Sequence, residues 1–298
     1  MRRAVLSAAT AAGLAASLSG CDGVAGLFDR ILSRGGLNLA APLKLNEEQS
    51  FNGLVESTLP VWSGGKAGAT SSTLALKLKM KLTVAEADGW MKAECTIVEG
   101  KQEVDRKPRA LPLEGQKVTF SYGPLRRIAH WNPLPVPTAV ELLDIGPPKG
   151  RVKAGEKWKL EAHRLLLQQQ EEVVFDKFYA CEGERDLAGT ACVRLLVTIP
   201  PVKLTLSSGP VLECSGSGEV WISRKDGRVL RAVELLEGQL RNEKLSTEPG
   251  RFVHSVTLTD ASLPAPAPSA SETAAPAAPA APAAQPASKP AAAPAAAG

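Results

Sequence analysis

Apolar and polar residues alternate along much of this chain, most clearly in "LALKLKMKLTV". There Leu74, Leu76, Leu78, Met80, Leu82 and Val84 share one parity, and Ala75, Lys77, Lys79, Lys81 and Thr83 share the other. A period of two over so many residues predicts a long strand with one dry and one wet face. The three lysines then read as a solvated face that discourages edge pairing; the alternative is a stripe for an anionic ligand. "KLTL" at Lys203–Leu206 alternates the same way. So does "HSVTLT" from His254, which shares parity with Phe252, Val256 and Leu258.

Turn residues fall between these runs. Asp226-Gly227 separates "EVWIS" from "VLRAVEL", a strong hairpin signal, and Asp88-Gly89 separates two further runs. Gly183 to Gly189 divides "EEVVFDKFYACE" from "TACVRLLVTI", which predicts a hairpin with its loop across those residues. Folding that hairpin about its middle sets Cys181 opposite Cys192, close enough for a cross-strand disulfide. Cys95 and Cys214 are left as a second pair or as free thiols. The one stretch that breaks strand character is "AHRLLLQQQEEVVF", where a helix over 163–172 competes with a strand. Pro-rich connections near 132–150 divide the body into two halves. The fold class expected over 38–262 is therefore mainly β, a β-rich α+β arrangement: a curved antiparallel sheet or partly open barrel.

The two ends differ from this body. From about Leu263 to Gly298 the chain is almost wholly Ala and Pro. Proline at that density breaks helices and ladders and alanine buries little, so an extended, disordered tail is expected. At the start, Arg2 and Arg3 precede an uncharged run of small apolar residues from Ala4, the pattern of a secretory signal peptide over 1–20. That run ends Leu18-Ser19-Gly20-Cys21, which resembles the bacterial lipobox. The resemblance implies a leader cut before Cys21 and a lipid on its thiol, with multiple acyl chains giving stable anchoring. Asp22 resembles an inner-membrane retention signal in some lineages; inner versus outer membrane stays open. Residues 21–37 hold the anchor and a short amphipathic helix, in which Val24, Leu27, Phe28, Ile31 and Leu32 fall at helical spacing. That helix either docks on the body or lies on the bilayer, and two arginines, Arg30 and Arg34, are few for a membrane face.

Removing residues 1–20 leaves 33 basic residues (35 minus Arg2 and Arg3) against 31 acidic ones. That balance argues against nucleic acid as a partner. The expected partners are the membrane, through the lipid, and envelope proteins or cell wall. Candidate chemistry is sparse. His130, His163 and His254 form no zinc motif, no Gly-x-Ser-x-Gly elbow or phosphate loop occurs, and no Cys-x-x-Cys is present. Glu182, Glu184 and Asp186 read as solvated acids in a loop rather than calcium ligands. Neither metal nor cofactor is expected, and no enzyme.

Several motifs carry a resemblance to known proteins. Lys153-Ala154-Gly155-Glu156-Lys157-Trp158 is followed by Gly189-Thr190-Ala191, then by Gly216-Ser217-Gly218-Glu219-Val220-Trp221 ahead of Asp226-Gly227. This order resembles a group of uncharacterised bacterial envelope lipoproteins. It implies strand entries and turns of a β-rich body and carries no catalytic residue across. A looser similarity is to half-barrel lipid carriers of bacterial envelopes. Two readings follow: a non-catalytic binding or structural module tethered to an envelope membrane, facing the periplasm or exterior, or a tethered receptor or carrier for a hydrophobic ligand. A carrier needs an apolar cavity left unfilled.

Overall fold

A computed structural model describes residues 36–263, apart from 42–43, 64–65, 133–138, 167–170 and 208. The expected signal peptide, Cys21, the expected amphipathic helix and the Ala/Pro-rich tail lie outside the described residues. The strands are β1 (Leu37–Asn38), β2 (Glu48–Ser63), β3 (Lys66–Ala85), β4 (Met91–Val104), β5 (Lys107–Arg109), β6 (Lys117–Tyr122) and β7 (Ile128–Asn132). They continue as β8 (Arg151–Val152), β9 (Lys157–Leu166), β10 (Glu171–Leu187), β11 (Thr190–Thr205), β12 (Val211–Ser223), β13 (Val229–Arg241) and β14 (Gly250–Asp260). Among the described residues the helical elements are two short 3-10 turns, Ala87–Gly89 and Val140–Leu143.

Twelve strands form one curved antiparallel sheet ordered β7-β6-β4-β3-β2-β14-β13-β12-β11-β10-β9, with β5 added to β4. The first long strand pairs with the last, β2 with β14. Strands before residue 132 make one wing and strands after 157 the other, and the sheet does not close. β1 and β8 form a separate two-stranded ladder.

Alternation explains which face is dry. One cross-strand row runs Leu74, Val55, Val256, Glu234, Gly218, Val197, Tyr179 and Trp158, each directly opposite the next. All the apolar members of this row are buried. The expected strand from Leu74 is the middle of β3, with Leu74 to Leu82 inward and its lysines outward. Val84 falls after a bulge and is exposed.

Glycines sit on the inner face where neighbouring backbones come closest. A Cβ on Gly218 would lie 2.2 Å from the Val233 carbonyl oxygen, and one on Gly238 would lie 2.0 Å from that of Glu213. Only a residue without a side chain lets neighbouring backbones approach so closely.

Three sequence expectations change here. The β10–β11 turn is Ala188-Gly189, both with positive φ (50° and 82°), and not a loop from Gly183. Gly183 (φ 96°) instead follows a bulge inside β10. Glu182, Glu184 and Asp186 are therefore strand residues. In this register Cys181 faces Leu195 and Cys192 faces Arg185, four positions along β10, on opposite faces of the sheet. At about 3.3 Å per residue that separation exceeds the roughly 7 Å a disulfide spans. Cys95, Cys181, Cys192 and Cys214 are all buried free thiols. Cys95 and Cys214 do not form the second pair; they belong to two different apolar clusters. Finally, 163–166 and 171–172 lie in β9 and β10 rather than in a helix.

Candidate functional site

The connection expected to be a break is a strap. It leaves edge strand β7 and returns at the opposite edge, β9, and on the way residues 139–152 pack into the concave face. Ala139, Val140, Leu142, Leu143, Ile145 and Val152 join the large inner cluster. Ala139 lies over the central strand: a Cβ on Gly53 would touch it at 3.6 Å. The strap is tied to the far wall by Trp158 Nε1, which donates to the Ile145 carbonyl at 2.9 Å, and Tyr179 Oη, which donates to that of Asp144 at 3.1 Å. The Trp158 and Tyr179 rings stack with centroids 5.4 Å apart. Trp158 thus enters β9 just after the Gly155 turn (φ 84°), as the Gly-Glu-x-Trp motif implies.

Buried charge lies beneath the strap. Lys177 on β10 pairs with Glu234 on β13, their side chains 2% and 3% exposed. Asp144 on the strap is pushed up to about 6, chiefly because burial disfavours its charged form. Arg127 opposes that shift, as do the Ile128 amide and the nearby Lys177. Arg127 Nε lies 3.1 Å from Asp144 Oδ1.

Of the histidines, His254 is buried on β14 and its Nδ1 lies 2.9 Å from Ser57 Oγ of β2. A hydroxyl beside an imidazole is the start of a nucleophile–base pair. Here, though, Ser57 and His254 are 4% and 2% exposed within the sheet's inner face. His163 is exposed on β9, and the side chain of His130 lies outside the described residues. Among the described residues no group of three His, Cys, Asp or Glu could hold a metal ion. The three acids of β10 have other partners: Glu182 pairs with Arg194, Glu184 with Arg224, and Asp186 accepts from the Gly189 amide. Burial raises Cys95 to about 12 and Cys214 to about 11, so both stay protonated and inert.

The outer face is neutralised locally. Lys77 pairs with Glu99 at 2.5 Å, and Lys79 with Glu48 at 2.6 Å. Glu99 is held down to about 2 by Lys101 and Lys77. The lysines of β3 are thus a paired, solvated face.

A cavity of about 30 Å³, partly open to solvent, lies where several turns converge. Arg126, Arg228, Glu47, Gln49 and Tyr122 supply its polar lining, above Met80, Leu82, Leu143 and Val229. Arg126 is buried in a left-handed turn (φ 54°). Its Nε donates to the Leu39 carbonyl at 2.7 Å and Nη2 to the carbonyls of Ala40 (3.2 Å) and Gly227. Sequence reasoning missed this residue, since its partners lie 87 and 101 residues away.

No family model matches the chain, and no curated protein does. Solved structures similar to it include lipovitellin, in a structure titled for its lipid–protein interactions, at TM-score 0.39 and 14% identity over 76% of this chain. The chain spans about a quarter of lipovitellin's length (26%). DynF of the dynemicin biosynthesis pathway of Micromonospora chersina gives TM-score 0.19 at 11% identity, covering 78% of this chain and 91% of DynF. A DUF1329 family protein from Desulfovibrio piger gives TM-score 0.17 at 13% identity, covering 74% of this chain and 88% of that one. At such scores none of them passes a ligand or an activity to this chain.

Proposed function

We propose that the protein is a non-catalytic binding or structural module tethered to a bacterial envelope membrane through a lipid on Cys21, meeting envelope proteins or cell wall with its outer sheet face. One observation carries the choice against a carrier: among the described residues, the concave face is filled by the chain's own side chains. Leu74, Val55, Val256, Ala232, Leu195 and Ile199 are each at most 1% exposed. A residue lining a ligand-sized void would present area to water. The cavity beside Arg126 has room for about two water molecules, not for an acyl chain.

The second reading, a tethered receptor or carrier for a hydrophobic ligand, has the strap in its favour. Ala139, Val140, Leu142, Leu143 and Ile145 of the strap lie in the inner apolar cluster, and a lipid displacing them would meet the same apolar floor. The two readings share the anchor, which is tested by feeding cells a clickable palmitate. Label on the wild type and its loss in Cys21→Ala, with release of the protein from the membrane, support the tether. Label that persists in Cys21→Ala contradicts it.

A further inference from the structure

The large sheet ends at β9, a ten-residue strand with β10 on one side and, among the described residues, no strand on the other. Beside its start, the Cys181 N–H donates to the Glu156 carbonyl at 3.0 Å. In an antiparallel pair, residues that exchange bonds with the neighbour alternate with residues whose backbone groups point away from it. Counting on from Glu156, the backbones of Trp158, Leu160 and Ala162 face β10. The N–H and C=O groups of Lys157, Lys159 and Glu161 then point outward from the edge of the sheet. Among the described residues no backbone group outside β10 bonds to β9.

Natural sheets guard such an edge with charge, lysine above all. Lys157 and Lys159 are exposed and fit that role, but Glu161 follows them on the same face, exposed as well. Glu161 lies directly opposite Asp176 of β10, and like charges so placed repel. Asp176 has a counter-ion in Lys159, whose Nζ lies 2.8 Å from its Oδ2. Among the described residues Glu161 has none. The edge therefore presents open donors and acceptors, two lysines, and a carboxylate that lacks a cation of its own.

We propose that β9 pairs antiparallel with β9 of a second copy of this chain, about a two-fold axis at Leu160. Such an interface is self-complementary, so each contact occurs twice. In this register Lys159 of one copy stands opposite Glu161 of the other, and each Glu161 gains the cation it lacks. On the inner face Leu160 meets Leu160 and Trp158 meets Ala162, which keeps apolar side chains together. An axis one residue to either side sets Lys159 against Lys159 or Glu161 against Glu161, so charge selects a single alignment. Neither the tether nor the outer-face partner is needed for this pairing.

Sedimentation equilibrium of the full chain, in detergent so that a lipid on Cys21 is accommodated, tests this. A reversible monomer–dimer equilibrium is expected of the wild type. Glu161→Lys sets lysine against lysine across the axis, and Lys159→Glu sets carboxylate against carboxylate. Each variant by itself should self-associate about tenfold more weakly or worse. Mixed in equal amounts, the two variants regain both Lys–Glu pairs and should bind each other about as tightly as wild type binds itself. Both side chains are exposed, so neither change touches the core. A wild type that stays monomeric at about 100 μM overturns the proposal. So does a dimer that ignores both charge reversals, a mixture no tighter than either variant, or a different polypeptide retained on β9.

Discussion

Lys177 and Glu234 form a buried ion pair although their strands, β10 and β13, are not neighbours. Two strands lie between, so a flat sheet would hold their backbones about 14 Å apart at 4.8 Å per strand. The side chains reach each other across the inner face, where Gly218, directly opposite Glu234 on the strand between, presents no side chain.

Removing one charge should expose that dependence. Glu234→Gln leaves the Lys177 ammonium facing no carboxylate on β13 and is expected to cost about 3–5 kcal/mol in urea unfolding. The double change Lys177→Met with Glu234→Leu should recover most of the loss. A double variant as unstable as the single one would show that the charges do more than neutralise each other.

Gly218→Ala tests the bend. Its new Cβ would sit 2.2 Å from the Val233 carbonyl oxygen and 3.1 Å from the Glu234 Cα, both backbone atoms that cannot swing aside. A loss of about 1–3 kcal/mol or more is expected. Gly155→Ala keeps open space around the added methyl and should cost only the strain of φ 84°, a smaller loss. Equal effects at the two positions would mean that inner-face crowding is not what Gly218 relieves.

Asp144 sets a pH dependence. Its folded pKa of about 6 lies above the ordinary aspartate value of 3.8, so the folded state binds the proton more tightly. Above pH 6 the buried carboxylate is charged and its penalty is present in full. As pH falls through 6 the penalty is progressively relieved, and relief is complete below about 3.8. The wild type should therefore gain stability from this group between about pH 7.5 and pH 5, by roughly 1–2 kcal/mol. Asp144→Asn should be more stable than wild type at pH 7.5 and show less of that rise. A variant less stable at pH 7.5 would mean that the Arg127 contact outweighs desolvation.

How far the sequence discloses this fold depends on the range of the signal. Alternation within one strand is local, so β3, β13 and β14 were legible, as was the turn at Asp226-Gly227. The β10–β11 register was not. Gly183 looks like a turn residue but supports a bulge, while the true turn places Ala188, a residue with no turn signature, in the left-handed region. The strap was hidden for a different reason. Prolines flanking 139–145 read as a break, and nothing local says that a break can cross a sheet and be buried in it. Arg126 is the extreme case, since its role is written in carbonyls of Leu39 and Gly227 that only the fold brings near.

The central claim is that, along the described residues, the trough is filled by the protein itself. Native mass spectrometry of the chain from residue 21 onward, carrying Cys21→Ser so that no acyl anchor is attached, and exported to a bacterial periplasm behind an ordinary secretory leader, tests it most directly. The filled trough predicts the mass of the polypeptide alone, and no stabilisation on adding fatty acid or phospholipid. One lipid retained per chain, lost when Ala139 is replaced by Trp to wedge the strap against Gly53, would contradict that claim and establish the carrier reading instead.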